Sequence, residues 1–459
     1  MLKRKIEKQL INWKNKENHN PIVLTGARQI GKTTSVRNFA KDNYSSFVEI
    51  NFHEQPEYKQ IFSDGYGCEA VVRRISMINP GFQFIKDDTL IFFDEVQDYM
   101  DALTSLKFLK LDGSYDVICS GSGLGVKYKN VTSIPVGFKE DMTMYSLDFE
   151  EFLWALNYKE EQIDYIKQQM LNLGPLDTTT KDIMNKNFMS YILTGGMPKI
   201  VNQFIESKNF SGILDMQKQV ISDYDNDIVK YTEGLDSAKV RNVYRHIAPQ
   251  LSKENHKFQI TKLGHGARAS QYVGCNEYLE DSGVVNVCYC LNDLTLPIKG
   301  NENSDNYRLY FADSSLLVGS LDEESQRDLR ANRNLGVYKG ALFENFAAEA
   351  LKKQGYSLYF YKSEDRYTEL DFTIRVNNNI VPIEIKAGRG KAKSLNAVIK
   401  DTKISEITYG FKFGDYNIGY SENIITFPYF TLFLLKDVLN HRENTKLGNL
   451  IKLIEIGEE

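Results

Sequence analysis

The chain has 459 residues, enough for about three domains of ordinary size. Hydrophobic residues make up 42% and charged residues 25%, a globular composition that can bury a large core without disulfides. With only 31 Gly and 10 Pro the chain is not linker-dominated, which excludes disorder over most of its length. Fifty-six Lys and Arg against 61 Asp and Glu give a net charge of −5. That excludes a surface coated in positive charge for nonspecific nucleic-acid binding, but leaves room for a local basic site.

The five cysteines (Cys68, Cys119, Cys275, Cys288, Cys290) are scattered and show no CxxC pair, so they imply neither a disulfide framework nor a zinc ribbon. The six histidines fall in no HxxxH or HExxH arrangement. The N-terminus, MLKRKIEKQLINW, lacks an apolar stretch of signal-peptide length. The apolar run Ile424–Leu435 is interrupted by Thr426, Pro428 and Thr431 and is too short to span a bilayer. The expectation is a reduced, cytoplasmic chain without membrane contact.

In chain order, Ile22–Leu24 is an apolar run suited to a buried parallel strand. Gly26, Ala27, Arg28, Gln29, Ile30, Gly31, Lys32 and Thr33 then fit GxxxxGK[ST], with Thr34 opening a helix predicted to Lys41. Strand, glycine loop and helix in this order form a phosphate cradle: backbone N–H groups surround the phosphates and the helix dipole adds positive potential. Lys32 is expected on the β/γ-phosphates and Thr33 on Mg²⁺, so ATP and Mg²⁺ follow as cofactors. A short strand is predicted at Val48–Phe52.

Thr89-Leu-Ile-Phe-Phe-Asp-Glu95 reads as a strand buried on both faces and ending in two acids. Asp94 is expected to support the metal and Glu95 to polarise the attacking water. A third strand, Tyr115–Cys119, ends in Ser120-Gly-Ser-Gly123, where Ser120 can sense the γ-phosphate or close a plain turn.

These pieces, with Tyr145-Ser-Leu-Asp-Phe-Glu-Glu-Phe-Leu153 and Thr194-Gly-Gly-Met-Pro198, resemble the AAA-type ATPases of bacteria and archaea that carry a C-terminal domain of unknown function. The resemblance implies an AAA+ core followed by a helical lid. It also implies Gly-Arg before the Tyr145 segment, where this chain reads Pro135-Val-Gly-Phe-Lys139. Phe138 thus stands in place of an arginine, and Lys139 lacks the planar fork of a guanidinium. Slow turnover, or nucleotide binding used as a switch, follows from that departure.

Helical spacing predicts Phe149–Leu156, Glu160–Leu173, Lys181–Leu193 and Asn209–Ile228 as lid helices. Beyond them, helices near Ala238–Leu251, Ile260–Leu263 and Ala269–Asp281 precede an alternating run, Val284–Cys290. This is a winged-helix order, which relatives of the family also have here. The last helix carries Glu277, Glu280 and Asp281 without Lys or Arg from Gln271 onward, which suits a protein contact or spacer better than DNA reading.

The C-terminal part begins with a predicted helix, Gly340–Leu351, then a strand near Leu358–Lys362 and a hairpin, Leu370–Val376 with Ile380–Lys386, turned at Asn377–Asn379. Asp371 and the Glu384-Ile-Lys386 triplet fall on its two strands. Glu384 and Lys386 share one face, with Ile383 and Ile385 on the other. Asp371 and Glu384 can hold a divalent cation while Lys386 stabilises phosphate charge, and Glu344 on the preceding helix can complete the set. The order resembles the PD-(D/E)xK nuclease superfamily, with a cross-strand salt bridge as the plainer alternative. The run Lys386-Ala-Gly-Arg-Gly-Lys-Ala-Lys393 can track a phosphate backbone or be a solvated loop.

The expected organisation is therefore α/β throughout: a P-loop AAA+ parallel-sheet core at 1–148, a helical lid at 149–235, a winged-helix-like segment at 236–335 and a restriction-endonuclease-like domain at 336–459. The expected function is a Mg²⁺-dependent ATPase coupled to a nuclease-like domain that binds or cleaves nucleic acid. The alternative is a nucleotide-controlled switch that recruits a protein partner without cleavage; self-association into a homo-oligomer is compatible with both.

Overall fold

A computed structural model describes residues 2–123, 135–232, 235–253, 257–331, 337–363, 368–386, 390, 392–401, 404 and 406–456. The chain divides into two compact units, Met1–Leu147 with Asp281–Gly283, and Asp148–Glu280 with Val284–Glu459.

The first unit is built on five parallel strands: β1 (Ile22–Thr25), β2 (Ser46–Asn51), β3 (Thr89–Asp94), β4 (Asp116–Gly121) and β5 (Glu140–Thr143), in the order β2-β3-β4-β1-β5. Every residue of β3 is buried, as the apolar run Leu90–Phe93 requires of a central strand covered on both faces. Helices Lys32–Asn43, Cys68–Ile78 and Asp101–Asp112 flank the sheet. Val23, Ile50, Ile91, Phe93, Val71 and Leu106 meet in one core. The order brings the ends of β1, β3 and β4 together, so the loops that follow them form one rim.

At the other end of the strands, His19 ties the chain after helix Lys5–Lys14 to the start of β4. Its Nε2 lies 2.7 Å from an Asp116 carboxylate oxygen, its Nδ1 lies 2.9 Å from the Lys16 carbonyl, and Trp13 packs edge-on at 4.4 Å. Both ring nitrogens face acceptors, which only the protonated ring satisfies. The hydrogen bond to Asp116 raises the His19 pKa, against desolvation and Lys110.

The second unit carries a mixed sheet in the order β12-β13-β11-β10-β9-β8-β6-β7. Its strands are β6 (Val285–Leu291), β7 (Glu302–Phe311), β8 (Tyr359–Ser363), β9 (Thr368–Val376), β10 (Asn379–Lys386), β11 (Gly410–Gly414), β12 (Gly419–Ser421) and β13 (Ile424–Pro428). Asn377 takes the left-handed conformation (φ 55°) at the β9–β10 turn.

Helices Phe149–Ala155, Glu160–Leu171, Thr178–Thr194 and Ile213–Tyr231 stand close to their predicted positions, and Pro198–Ser207 is an additional one. Phe149–Ala155 and Thr178–Thr194 share an aromatic core with the helix Val337–Lys353 and the turn Tyr429–Leu434. Phe188 packs edge-on against Phe346 at 4.7 Å and stacks on Phe343 at 6.0 Å, while Phe149 meets Phe433 at 5.4 Å. Such pairs add about 0.5–1.5 kcal/mol each beyond their burial. A buried polar network joins the same elements: Ser314 N–H donates to Glu349 at 2.9 Å, Lys353 donates to Glu349 at 2.7 Å, and Gly196 N–H donates to Asp313 at 2.9 Å.

The helix predicted at Ala269–Asp281 is instead a short turn, Ala269–Gln271, and a separate helix, Cys275–Asp281, divided at Gly274 with φ 83°. The Val284–Cys290 run pairs with β7 on one side and, in parallel, with β8 on the other. It is a sheet strand rather than one arm of an isolated wing.

A group whose folded pKa is raised stabilises the fold below its unfolded value and loses that contribution as pH climbs through the folded one. The midpoint of thermal unfolding of the chain should therefore contain a component that is full below pH 6.5 and declines above it. Calorimetry from pH 5.5 to 8.5 checks this: His19→Gln should remove that component, and an identical pH profile in the variant would refute it.

Candidate nucleotide site and acid–lysine cluster

The nucleotide loop connects β1 to helix Lys32–Asn43. Gly26 adopts φ 146°, and a Cβ there would sit 2.2 Å from the Met144 carbonyl oxygen, so only glycine passes. Gly31, at φ 93°, begins the helix. Lys32 is buried and donates to the carbonyls of Gly26 and Ala27, each at 2.8 Å. Burial lowers its pKa to about 8, against the attraction of Glu95 and Asp94, so the ammonium remains charged at neutral pH.

Asp94, 2% exposed at the end of β3, is the point where the strands converge. It accepts from Thr33 Oγ1 at 2.8 Å, from Ser120 Oγ, from the Glu95 N–H at 3.0 Å and from Asn51 Nδ2 at 3.4 Å. Glu95 adopts φ 53° and accepts from Gln97 Nε2, while Gln97 Oε1 accepts from Ser122 N–H at 3.2 Å. Arg28 donates to Ser122 Oγ at 3.1 Å. The predicted residues Lys32, Thr33, Asp94, Glu95 and Ser120 thus lie on one rim.

Sequence reasoning missed Arg4, Asn51 and Gln97. The buried Arg4 guanidinium donates to Ile30 O at 2.8 Å and Tyr145 O at 2.6 Å, pinning the loop from 26 positions away. Nothing in the basic N-terminal run distinguishes Arg4 from Lys3 or Lys5. A cavity of about 540 Å³ between Trp13, His19, Lys110 and Tyr115 belongs to the end where β1 and β4 begin, away from this rim.

Residues 18–153 match the family described as AAA domain. This segment is similar to AAA domains. Residues 185–327 and 339–431 match two families described only as domains of unknown function, DUF8612 and DUF4143. Among solved structures, the chain is similar to the Walker-type ATPase PABY2304 of Pyrococcus abyssi at 13% identity and TM-score 0.43, over 70% of this chain and 96% of that one. It is also similar to the Aeropyrum pernix ORC1 protein in complex with DNA, at 10% identity and TM-score 0.31 over 72% and 93%. A RuvB mutant of Thermotoga maritima gives 11% identity and TM-score 0.30 over 73% and 97%. No curated protein matches the chain. No described helix is long and apolar enough to cross a membrane.

In the second unit, β9 and β10 bring Asp371 beside Glu384, and the Ile385 N–H donates to Asp371 at 2.8 Å. Burial, then Glu344 and Glu384, push the Asp371 pKa up to about 7. Glu384 is 4% exposed; one oxygen pairs with Lys386 and the other is buried without a hydrogen-bond partner among the described residues. Ile383 and Ile385 are buried on the opposite face, as the alternation predicts.

Glu344 is engaged otherwise. Arg308 on β7, itself 2% exposed, pairs with Glu344 at 3.7 Å and with Glu369, and lies 4.2 Å over the Phe360 ring. Tyr310 donates to Glu344 at 3.2 Å. Among the described residues no three His, Cys, Asp or Glu side chains are arranged to hold a metal. In the basic run after Lys386, residues 387–389 and 391 lie outside the described residues.

Removing one partner of a buried ion pair leaves an uncompensated charge, at about 3–5 kcal/mol. Arg308→Leu should lower stability by about that amount, and adding Glu344→Gln should recover part of it. Urea unfolding of the single and double variants measures both, and additive losses would refute the coupling.

Proposed function

We propose that the first unit binds ATP with Mg²⁺ and hydrolyses it, and that this cycle controls a nuclease-like site at Asp371, Glu384 and Lys386. The convergence of Thr33, Ser120 and the Glu95 N–H on buried Asp94, beside the ammonium of Lys32, supports the ATPase half. Lys32 would exchange its two loop carbonyls for phosphate oxygens. The Thr33 hydroxyl and Asp94 carboxylate are the hard oxygen donors that Mg²⁺ takes, so they fit the ion and would hold it. Bound there, it would offset charge on the phosphates. Glu95, held by Gln97, would orient the attacking water and take its proton.

The nuclease-like half is supported by the order of helix, three strands, helix and strand that carries Asp371, Glu384 and Lys386. The unpartnered, buried Glu384 oxygen beside Asp371 suits a divalent cation, which those two carboxylates would hold. The ion would polarise a phosphodiester when bound. Lys386 would face the negative charge that develops on it, and nucleic acid is the substrate class this chemistry serves.

One observation favours the switch as a second reading. Phe138, where the family resemblance implies an arginine, lies with its ring 5.5 Å from the Lys107 ammonium and offers no donor to a phosphate. Slow turnover with tight nucleotide binding would support it.

Lys32→Ala should abolish binding of a fluorescent ATP analogue, while Glu95→Gln should keep it and lower kcat about 100-fold or more. Unchanged affinity in Lys32→Ala would sink the ATPase assignment. For the second unit, DNA and RNA are incubated with Mg²⁺ or Mn²⁺, with and without ATP. Cleavage should appear and vanish in Glu384→Ala; no cleavage by the parent chain would leave the switch.

A further inference from the structure

Beside the acid–lysine pair, β11 runs parallel to β10 with Lys412 opposite Glu384 and Gly414 opposite Lys386. Residues in register on neighbouring strands share a face, so Lys412 projects on the same side as Glu384 and Lys386. Lys386 is committed to Glu384. The half-buried Lys412 differs: its ammonium makes no hydrogen bond or ion pair among the described residues, and it lies 4.1 Å from the centre of the Tyr416 ring. Placing a cation over an aromatic face fixes it without neutralising its charge.

The ring is itself seated on purpose-built ground. A Cβ on residue 414 would approach Tyr416 Cε2 to 2.4 Å, so the ring can fold back against β11 only because residue 414 is glycine. The Tyr416 hydroxyl then donates to the Gly390 carbonyl at 2.8 Å, fastening the ring to the segment that leaves β10. Ring and strand thus hold Lys412, unpaired among the described residues, next to two carboxylates.

We propose that Lys412 is the backbone-binding cation of the acid–lysine site, contacting a nucleic-acid phosphate, and that Tyr416 is the residue that positions it. The proposal deepens the nuclease-like reading and rests on it. A single ammonium acting as a point charge recognises phosphate without reading sequence. Its loss therefore weakens all sequences by the same factor. With Lys386 held by Glu384 and Arg308 by Glu344, Lys412 is, among the described residues of this face, a group able to meet an incoming anion without first breaking a bond.

The test uses the full chain and a labelled 30-nucleotide DNA, single-stranded and duplex, in EDTA so that binding is read without cleavage. Affinity is measured across a salt series. Lys412→Gln should weaken binding of unrelated sequences equally and reduce the slope of log K against log salt by about 1. Lys412→Arg should retain the slope, Tyr416→Leu should lose much of it, and Tyr416→Phe should fall between. Thermal unfolding of each variant establishes that it folds. An unchanged affinity and slope in folded Lys412→Gln overturns the proposal, as does failure of the parent chain to bind either DNA. Cleavage in Mg²⁺ that depends on Glu384 but not on Lys412 overturns it while leaving the nuclease-like reading standing. Lys412-dependent binding without cleavage does the reverse.

Discussion

A carboxylate buried to 2% exposure cannot stand alone in a low-dielectric interior, and Asp94 is held by four donors from separate pieces of the chain. Asn51 ends β2, Glu95 directly follows β3, Ser120 lies in β4 and Thr33 lies in the helix after β1. The parallel order β2-β3-β4-β1 is what makes those contacts coincide. The same hydrogen bonds that satisfy the buried charge aim a hydroxyl and a carboxylate at the place where the loop would cradle phosphate. Folding and site assembly in the first unit are thus one requirement, with Arg4 closing the loop from outside the motif.

The second unit solves its charge problem differently. Arg308 lies under the sheet's acids as an internal counter-charge, paired with Glu344 and Glu369 and covered by Phe360. A guanidinium suits this place because its planar fork serves two carboxylates and a ring face at once. The consequence for the site is a division of labour among acids that the linear order treats alike. Glu344 is spent on Arg308 and Tyr310, whereas Asp371 and Glu384 remain adjacent with one oxygen of Glu384 unserved.

The nucleotide motif could be read from the chain because phosphate chemistry fixes residue types at fixed local spacing, and the apolar run Leu90–Phe93 of β3 admits few alternatives. The hairpin with Asp371 and Glu384 was also readable, from alternation and an Asn turn. What escaped is long-range. Arg4 meets its carbonyl acceptors 26 and 141 positions away, and Arg308 meets Glu344 across 36 and Glu369 across 61. Helical periodicity in 149–235 gives the same pattern whether the apolar stripe covers a neighbouring lid helix or, as found, packs Phe188 against Phe343 and Phe346. The predicted helix through Ala269–Asp281 fails at Gly274, whose positive φ divides it, a local signal outweighed by the surrounding spacing.

The contrast between the two lysines on the acid face of the second unit follows from register. Lys386 lies two residues along the same strand as Glu384, so its ammonium finds that carboxylate without crossing a strand, and the pair is self-contained. Lys412 lies directly across from Glu384 but is drawn aside onto the Tyr416 ring, where it meets no carboxylate in an ion pair among the described residues. A salt-bridge role would have favoured two lysines shared among the acids, since the Glu384 oxygen left without a partner lies on the same face. Among the described residues the fold instead keeps an acid oxygen of Glu384 and the Lys412 ammonium unpaired on one face, which is the charge pattern a cation and a phosphate would complete together.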